Sequence, residues 1–589
     1  MEERTHEGGE AAGRLLFAVA LLAGLVLRVV QLAVPDLFGF EEGRWAVGAR
    51  NLVEGGFDQL VALSATPLGE PAGTPVLFPA MLSVMVRVFG SEEWAIRLPS
   101  VFAGLVGAFL LERVVRRGYG QPAGHLAGAF AALFPPLVSA SRAATVEPTL
   151  VALGLAGIIF GLRAFEEDLP GEAYLAGLFF GLGFLAKGYA VGLFLLPLLA
   201  SLAARPRLFA LGRTKTSLVR LLLVFAVVGG AHLLLVALAR PSQFAFALAS
   251  AFGASEPQVA LLSQPTAFGA DLKTLVKTLF IFLPLVGVGI AFLFRKLGEA
   301  EIEGGATSGE RRLHHGALWG VYAIELLVVI VVAGKLKLSS IPVMPALAAL
   351  AGLGGAALLV PRPARVRMER LAAILTGAFL LAVAAFLVSV PDDPIFGGRS
   401  SPVSAGAALT AIAGTALGAA LFLSGDAASK RRRQLATLFL TSLLLSGGLE
   451  AVRNVRLDLR LHRTGARELA EQIAPALAPL APATFAFRSP EPEALAFRLF
   501  RTGRSWSGVA TSDLLVGEAP RMKAWAYREG EPIGPYAPTK EIRSWLEANA
   551  VNISADVAAR AGRKTGLLVF LPTVDVTNAI PTRAIIAAP

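Results

Sequence analysis

The 589-residue sequence contains no cysteine, so disulfide bridges and thiolate metal sites are both excluded. Charge is scarce as well: Asp, Glu, Lys and Arg make up 16% of the chain, where a soluble protein of this length carries about 25%. The six histidines form no metal-spaced cluster, and the sequence shows no convincing serine–histidine pair and no glycine-rich nucleotide loop. There is no internal repeat and no low-complexity stretch beyond alanine- and leucine-rich runs. The polar start, Met1 to Gly13, has four glutamates against Arg4 alone. Such a segment lacks the basic n-region of a signal peptide, so the first apolar run is expected to be a retained helix.

What the chain does have is apolar length. It is 55% hydrophobic with a mean hydropathy of +0.63. Runs of about 20 apolar residues recur between Leu15 and Leu449, the length needed to cross a bilayer as a helix. The expected fold class is therefore an all-α polytopic membrane protein. Thirteen spans are predicted, at 14–34, 98–116, 121–140, 144–165, 171–187, 188–204, 219–240, 273–295, 314–334, 341–360, 370–391, 404–424 and 435–451. The net charge of +11 sits in clusters between these runs, a topology signal and not a nucleic-acid footprint. Arg113/Arg116/Arg117, Arg205/Arg207/Arg213/Lys215/Arg220, Arg295/Lys296/Arg311/Arg312, Arg362/Arg365/Arg367/Arg370 and Lys430 to Arg433 all fall on one side if the N-terminus is cytoplasmic. The expected location is the cytoplasmic (inner) membrane, multi-pass.

That parity fixes two other segments. If Val76 to Phe89 crossed the membrane, every later basic loop would change side, so it is expected to lie along the outer surface as an interfacial helix. The loop 35–97 then forms an external layer of a transmembrane domain spanning 1–451. An odd span number also places 452–589 outside. Its short alternating and apolar runs, such as Thr484 to Phe487 and Gly566 to Leu571, predict strands, and Glu491 to Phe500 and Lys540 to Ala550 predict helices. A small extracytoplasmic α/β domain is expected there.

Ionisable groups in or beside membrane spans are costly and mark candidate sites. Phe38-Gly39-Phe40-Glu41-Glu42-Gly43-Arg44-Trp45-Ala46 follows the first span, with two carboxylates, a guanidinium, and aromatics suited to the headgroup level. The paired acids could act as a base, a metal ligand or a cation site, against the plainer reading of a solvated loop. Arg142 and Glu147 flank a short outer turn, as a site or as a surface ion pair. Lys187 closes the outer end of the fifth span, where a snorkelling lysine is equally natural. Lys335 and Lys337 lie in an outer loop against the basic-inside trend, and ammonium groups there suit a phosphate. Arg240, Lys273 and Lys277 add to the same positive field. Arg28, inside the first span, is given no role. Outward carboxylates (Glu41, Glu42, Glu147) with outward cations (Arg44, Arg142, Lys187, Lys335, Lys337) suit a substrate with an anionic head and a reacting hydroxyl or amine.

From Leu15 to Leu350 the sequence resembles the polytopic C-type glycosyltransferases, which include protein O-mannosyltransferases and lipid A aminoarabinose transferases. Glu41 to Ala46 resembles their Asp-Glu-x-Arg-Tyr-Ala motif, Thr74-Pro75-Val76-Leu77 partly matches Lys-Pro-Pro-Leu, and Arg97-Leu98-Pro99 matches Arg-Leu-Pro. Arg142 to Glu147 fits an arginine followed by an acid. Phe184 to Gly188 resembles Leu-Thr-Lys-Gly, and Lys335 to Pro342 is similar to Lys-Leu-Pro-x-Tyr-Leu-x-Pro. Glu41 replaces the usual aspartate, Thr74 a lysine, Val76 a proline and Ser339 a tyrosine. The resemblance implies inverting transfer of a sugar from a polyprenyl-phosphate donor to a lipid, protein or polysaccharide acceptor at the outer face. No nucleotide cofactor is implied, because the leaving group is the lipid phosphate. Glu41 would be the general base. Glu42 and Glu147 would orient the acceptor or bind a divalent ion such as Mg²⁺ or Mn²⁺. Arg142, Lys187 and Lys335 would stabilise the departing phosphate. The alternative is a transporter or flippase of a lipid-linked sugar, for which paired repeats and broken midplane helices are expected. The sequence shows neither.

Overall fold

A computed structural model describes residues 2–33, 76–90, 92–204, 212–239, 307–336, 341–359 and 430–461. It also describes isolated helical positions between 42 and 53 and between 241 and 293, and three strands at 525–528, 550–552 and 567–572. The helices are α1 (Glu2–Val29), α2 (Leu77–Phe89), α3 (Glu93–Tyr119), α4 (Gln121–Leu133), α5 (Pro135–Arg142) and α6 (Glu147–Glu166). They continue with α7 (Pro170–Lys187), α8 (Gly192–Ala203), α9 (Gly212–Ala239), α10 (Thr307–Leu336), α11 (Met344–Leu359) and α12 (Lys430–Leu461). Among the described residues, six helical runs are long and apolar enough to cross a membrane, or seven with the bent pair α4–α5 taken as one. A multi-pass helical membrane protein is what these runs require. The predicted spans 370–391 and 404–424 lie outside the described residues.

Small residues set the helix directions by letting neighbours close in. A side chain on Gly157 would meet the Phe180 ring at 2.7 Å, and Leu150 faces Gly183, so α7 runs antiparallel to α6. Phe194 then packs on Gly154 and Leu198 on Gly161, so α8 runs parallel to α6. The unbroken run Pro170–Ala203 is therefore a hairpin, as the separate spans at 171–187 and 188–204 anticipate. It reverses at Lys187 (φ −150°, ψ 36°) and Gly188 (φ 50°, ψ −126°), followed by a 3₁₀ turn at Gly188–Val191. Gly188 is needed there: its φ is left-handed, and a Cβ would run into the Ala251 carbonyl. By the same contacts α1 runs parallel to α4, with Gly13 beside His125 and Gly24 beside Ala132.

One end of the bundle carries the first basic cluster, Arg113, Arg116 and Arg117 of α3. There Glu166 of α6 accepts from Arg117 Nε of α3 at 2.7 Å and lies 2.9 Å from His315 Nε2 of α10, while Arg117 Nη2 donates to Glu167 at 2.7 Å. His314 and His315 stand at the start of the span predicted at 314–334. They are fully buried within α10, and Gly118 leaves room for the His315 ring. The acidic turn at 166–168 thus has a local reason, which is to match Arg117.

The opposite end carries α2. At 13 residues, about 20 Å, it is too short to span. It buries Phe78, Pro79, Leu82 and Val86, and its Ala80, like Leu185 of α7, packs against the cluster of Leu52 and Val76. Trp45 was expected at the headgroup level. It is buried, with its ring edge-on to Phe78 at 5.6 Å, so it anchors this layer to the bundle.

A second departure concerns the span predicted at 121–140, which is broken. Pro135 forces the preceding Phe134 out of the helical region (φ −67°, ψ 116°), and α5 restarts bent by 53° from α4. In the tail, β1 (Trp525–Arg528), β2 (Ala550–Asn552) and β3 (Leu567–Pro572) form an antiparallel sheet in the order β1-β3-β2, with Trp525 opposite Phe570 and Val551 opposite Leu571. The apolar run 566–571 supplies the central strand. The strand expected at Thr484 to Phe487 and the two tail helices lie outside the described residues.

Candidate functional site

The end of the bundle away from Arg117 and Glu166 is held by arginines that bond to backbone carbonyls. Arg142, the last residue of α5, donates from Nη1 to the carbonyls of Leu27 (2.6 Å), Arg28 (3.3 Å) and Val30 (2.9 Å). These are C-terminal carbonyls of α1, which have no partner within the helix, and a cation there also complements the helix dipole. Arg97 of α3 donates from Nη1 to Leu32 O at 2.8 Å, which continues the same task one turn further on.

The rest of Arg97 engages Glu42. Its Nε and Nη2 donate to the two carboxylate oxygens at 2.7 and 2.9 Å, a fork-to-fork pair with both side chains almost wholly buried (3% and 2% exposed). Glu42 also accepts the backbone N–H of Ala144 at 2.8 Å. That N–H lies in the turn between α5 and α6, where Ser100 Oγ donates to Thr145 O at 2.9 Å and Thr145 Oγ1 donates to Ala140 O at 3.0 Å. Glu42 therefore joins the outer loop to α3 and to the α5–α6 turn.

Beside this node, Glu147 opens α6 and pairs with Lys187, which closes α7. An acid in a first turn and a base in a last turn each complement their helix dipole, so the pair joins two favourable helix ends. Glu147 is buried, whereas Lys187 is about a quarter exposed.

The structure thus brings together Glu42, Arg142, Glu147 and Lys187. Glu41, Arg44 and Lys337 lie outside the described residues. Lys335 falls in the last turn of α10, close in sequence to the Ile341–Val343 turn, which is tied down by the Tyr322 hydroxyl donating to Pro342 O at 2.5 Å. Sequence reasoning missed Arg97 as a site residue and left Arg28 without a task. For Arg97 the signal was present: a buried carboxylate at Glu42 needs a cation, and Arg97-Leu98-Pro99 stands near the start of α3.

The same contacts bear on a divalent ion. Glu42 is matched by Arg97 and an N–H, Glu147 by Lys187, and no group of three acidic or histidine side chains among the described residues is arranged to hold a metal. Glu42 and Glu147 do not fit a Mg²⁺ or Mn²⁺ site in this arrangement, because each is already neutralised by the chain.

Comparison with known proteins agrees with this architecture. Residues 73–231 match the family model described as dolichyl-phosphate-mannose-protein mannosyltransferase. YycA of Bacillus subtilis (strain 168), whose name assigns it provisionally to the mannosyltransferases, is 32% identical over 85 residues. That stretch is 14% of this chain and 12% of YycA. ArnT from Cupriavidus metallidurans, in the apo state, is 17% identical, covers 96% of this chain over 98% of its own length, and superposes with a TM-score of 0.58. The same protein bound to undecaprenyl phosphate gives a TM-score of 0.59 at 17% identity, covering 96% and 99%. The apo oligosaccharyltransferase of Archaeoglobus fulgidus gives 0.51 at 12% identity, covering 88% of this chain and 69% of that one. The resemblance to the polytopic C-type glycosyltransferases therefore holds in the fold of nearly the whole chain, and in a family match whose block contains Arg97, Arg142, Glu147 and Lys187.

Proposed function

We propose that this protein is a membrane glycosyltransferase that moves a sugar from a polyprenyl-phosphate donor to an acceptor at the outer face of the cytoplasmic membrane. The observation that carries the reading is the Glu42 node. It pins the residue next to Glu41 to α3 and to the turn that leads into Glu147. Glu41 is the general base. It takes the proton of the acceptor O–H or N–H as that atom attacks the anomeric carbon. The bond from that carbon to the phosphate oxygen breaks on the opposite face, the electron pair leaves with the lipid phosphate, and configuration inverts. The pair of Glu42 and Arg97 ties down the residue next to Glu41, and Arg142 fixes the end of α1. Lys187 supplies the cation beside Glu147 that a metal would otherwise provide. Arg44, Lys335 and Lys337 are assigned to the phosphate, for which an ammonium or guanidinium is suited. The lipid-phosphate donor is supported by the fold shared with ArnT, which has been solved with undecaprenyl phosphate bound.

In the same reading the chain has thirteen spans, a cytoplasmic N-terminus and a small outer α/β domain built around the β1-β3-β2 sheet. Purified protein in liposomes, given a radiolabelled polyprenyl-phosphate sugar and candidate acceptors, tests the assignment. An acceptor-dependent product is expected. Glu41→Gln should reduce its formation by about 100- to 10,000-fold, the usual worth of a general base, with normal expression. Wild-type turnover in that variant removes Glu41 from the role. The break in α4–α5 is one feature that favours the alternative, a flippase of a lipid-linked sugar. A change of leaflet with no acceptor product would select that reading.

A further inference from the structure

Arg28 is fully buried in α1, at the level of the break between α4 and α5. Pro135 and Pro136 begin α5, and a proline nitrogen carries no hydrogen. In a continuous helix those two nitrogens would serve the carbonyls four residues back, at Ala131 and Ala132. The Ala132 carbonyl instead accepts from Arg28 Nη1 at 2.7 Å, and the same nitrogen reaches Gly24 O at 3.0 Å.

The surroundings are cut to fit this side chain. A Cβ on Gly24 would stand 2.6 Å from the Ala132 carbonyl oxygen and 2.9 Å from Arg28 Nη1. A Cβ on Gly104 of α3 would stand 3.2 Å from Arg28 Nε and would overlap the Ser141 hydroxyl. Among the described residues, Arg28 Nε and Nη2 have no hydrogen-bond partner. An arginine buried in a membrane bundle at that cost is not explained by α1 alone. At the far end of the short α5, Arg142 returns to cap α1, with Arg28 O among its acceptors. The two arginines therefore cap in opposite directions: Arg28 serves the end of α4, and Arg142 serves the end of α1.

We propose that Arg28 is a positioning residue for the transfer reaction. By supplying the donor that Pro136 withholds, it fixes the break, and the break sets where α5 delivers Arg142 and the Ala144 N–H that holds Glu42. This rests on the transferase reading of the outer site.

The test uses full-length protein in liposomes with a radiolabelled polyprenyl-phosphate sugar, and records kcat, KM for the donor and the thermal midpoint. Arg28→Met is expected to lower kcat by about 100-fold, the scale of a small misplacement of reacting groups. Arg28→Lys keeps a cationic donor and is expected to restore most of that rate. Pro135→Ala with Pro136→Ala in the Arg28→Met background returns the missing N–H groups and lets the span straighten. The thermal midpoint is then expected to recover while kcat stays low. Unchanged kcat in Arg28→Met overturns the proposal, as does recovery of kcat together with stability in the triple variant, because Arg28 would then only satisfy a carbonyl. Absence of transfer by the unmodified protein is a different outcome and removes the transferase reading itself.

Discussion

Replacing Arg97 with methionine removes the cation from the Glu42 node and leaves most of its volume in place. The two hydrogen bonds to Glu42 and the one to Leu32 O go with it, while Glu42 keeps the Ala144 N–H. Breaking a buried pair on one side strands the other charge and costs about 3–5 kcal/mol. At 1.4 kcal/mol per tenfold, this is a shift of about 100-fold to a few thousand-fold toward states in which Glu42 has left its pocket. Transfer should fall with it, since the neighbouring Glu41 is then no longer held. The double variant Arg97→Met/Glu42→Gln removes the stranded charge. It should recover much of the thermal stability in detergent, but not the transfer rate. The assay is a thermal melt beside initial rates in liposomes. Wild-type stability and rate in Arg97→Met would refute the reasoning, because a carboxylate 2% exposed would then be doing without its cation.

Lys187→Met should depress transfer and stability together by leaving Glu147 unmatched, and Lys187→Met/Glu147→Gln should restore the melting temperature but not the activity. Gly154→Ala places a methyl into the Phe194 ring at the α6–α8 contact. The overpacking should destabilise the protein by about 1–3 kcal/mol, read from chemical unfolding, with the rate per folded molecule unchanged. Because Arg97 and Lys187 already neutralise Glu42 and Glu147, exhaustive chelation should leave transfer intact. A rate restored specifically by Mg²⁺ or Mn²⁺ after chelation would show that one of these pairs opens to admit the ion.

Much of the architecture was legible because membrane spans announce themselves. Apolar length and basic clusters determine which helix ends share a side, and His315, Glu166 and Arg117 do gather at one end while Glu147 and Lys187 meet at the other. Short motifs at helix ends singled out Glu42, Arg142, Glu147 and Lys187, which the structure brings to one end of the bundle. What stayed hidden was who pairs with whom. Glu42 and Arg97 are 55 residues apart, and Arg142 meets α1 across more than a hundred. Separations of that kind follow from packing and leave no local pattern. Pro135-Pro136 lies inside the run expected as one span at 121–140, and only the position of Arg28 against Ala132 gives the break a reason.

Glu42 has consequences for biosynthesis too. Its carboxylate emerges from the ribosome well before Arg97 does, and the Ala144 amide follows only after α4 and α5 have been made. Until then an acid destined for a dry pocket lacks one or both of its partners in α3 and in the α5–α6 turn. A nascent chain arrested ahead of residue 144 would consequently carry every member of the first loop and still lack its final tether, so the Glu42 node matures late, only after α5 is complete.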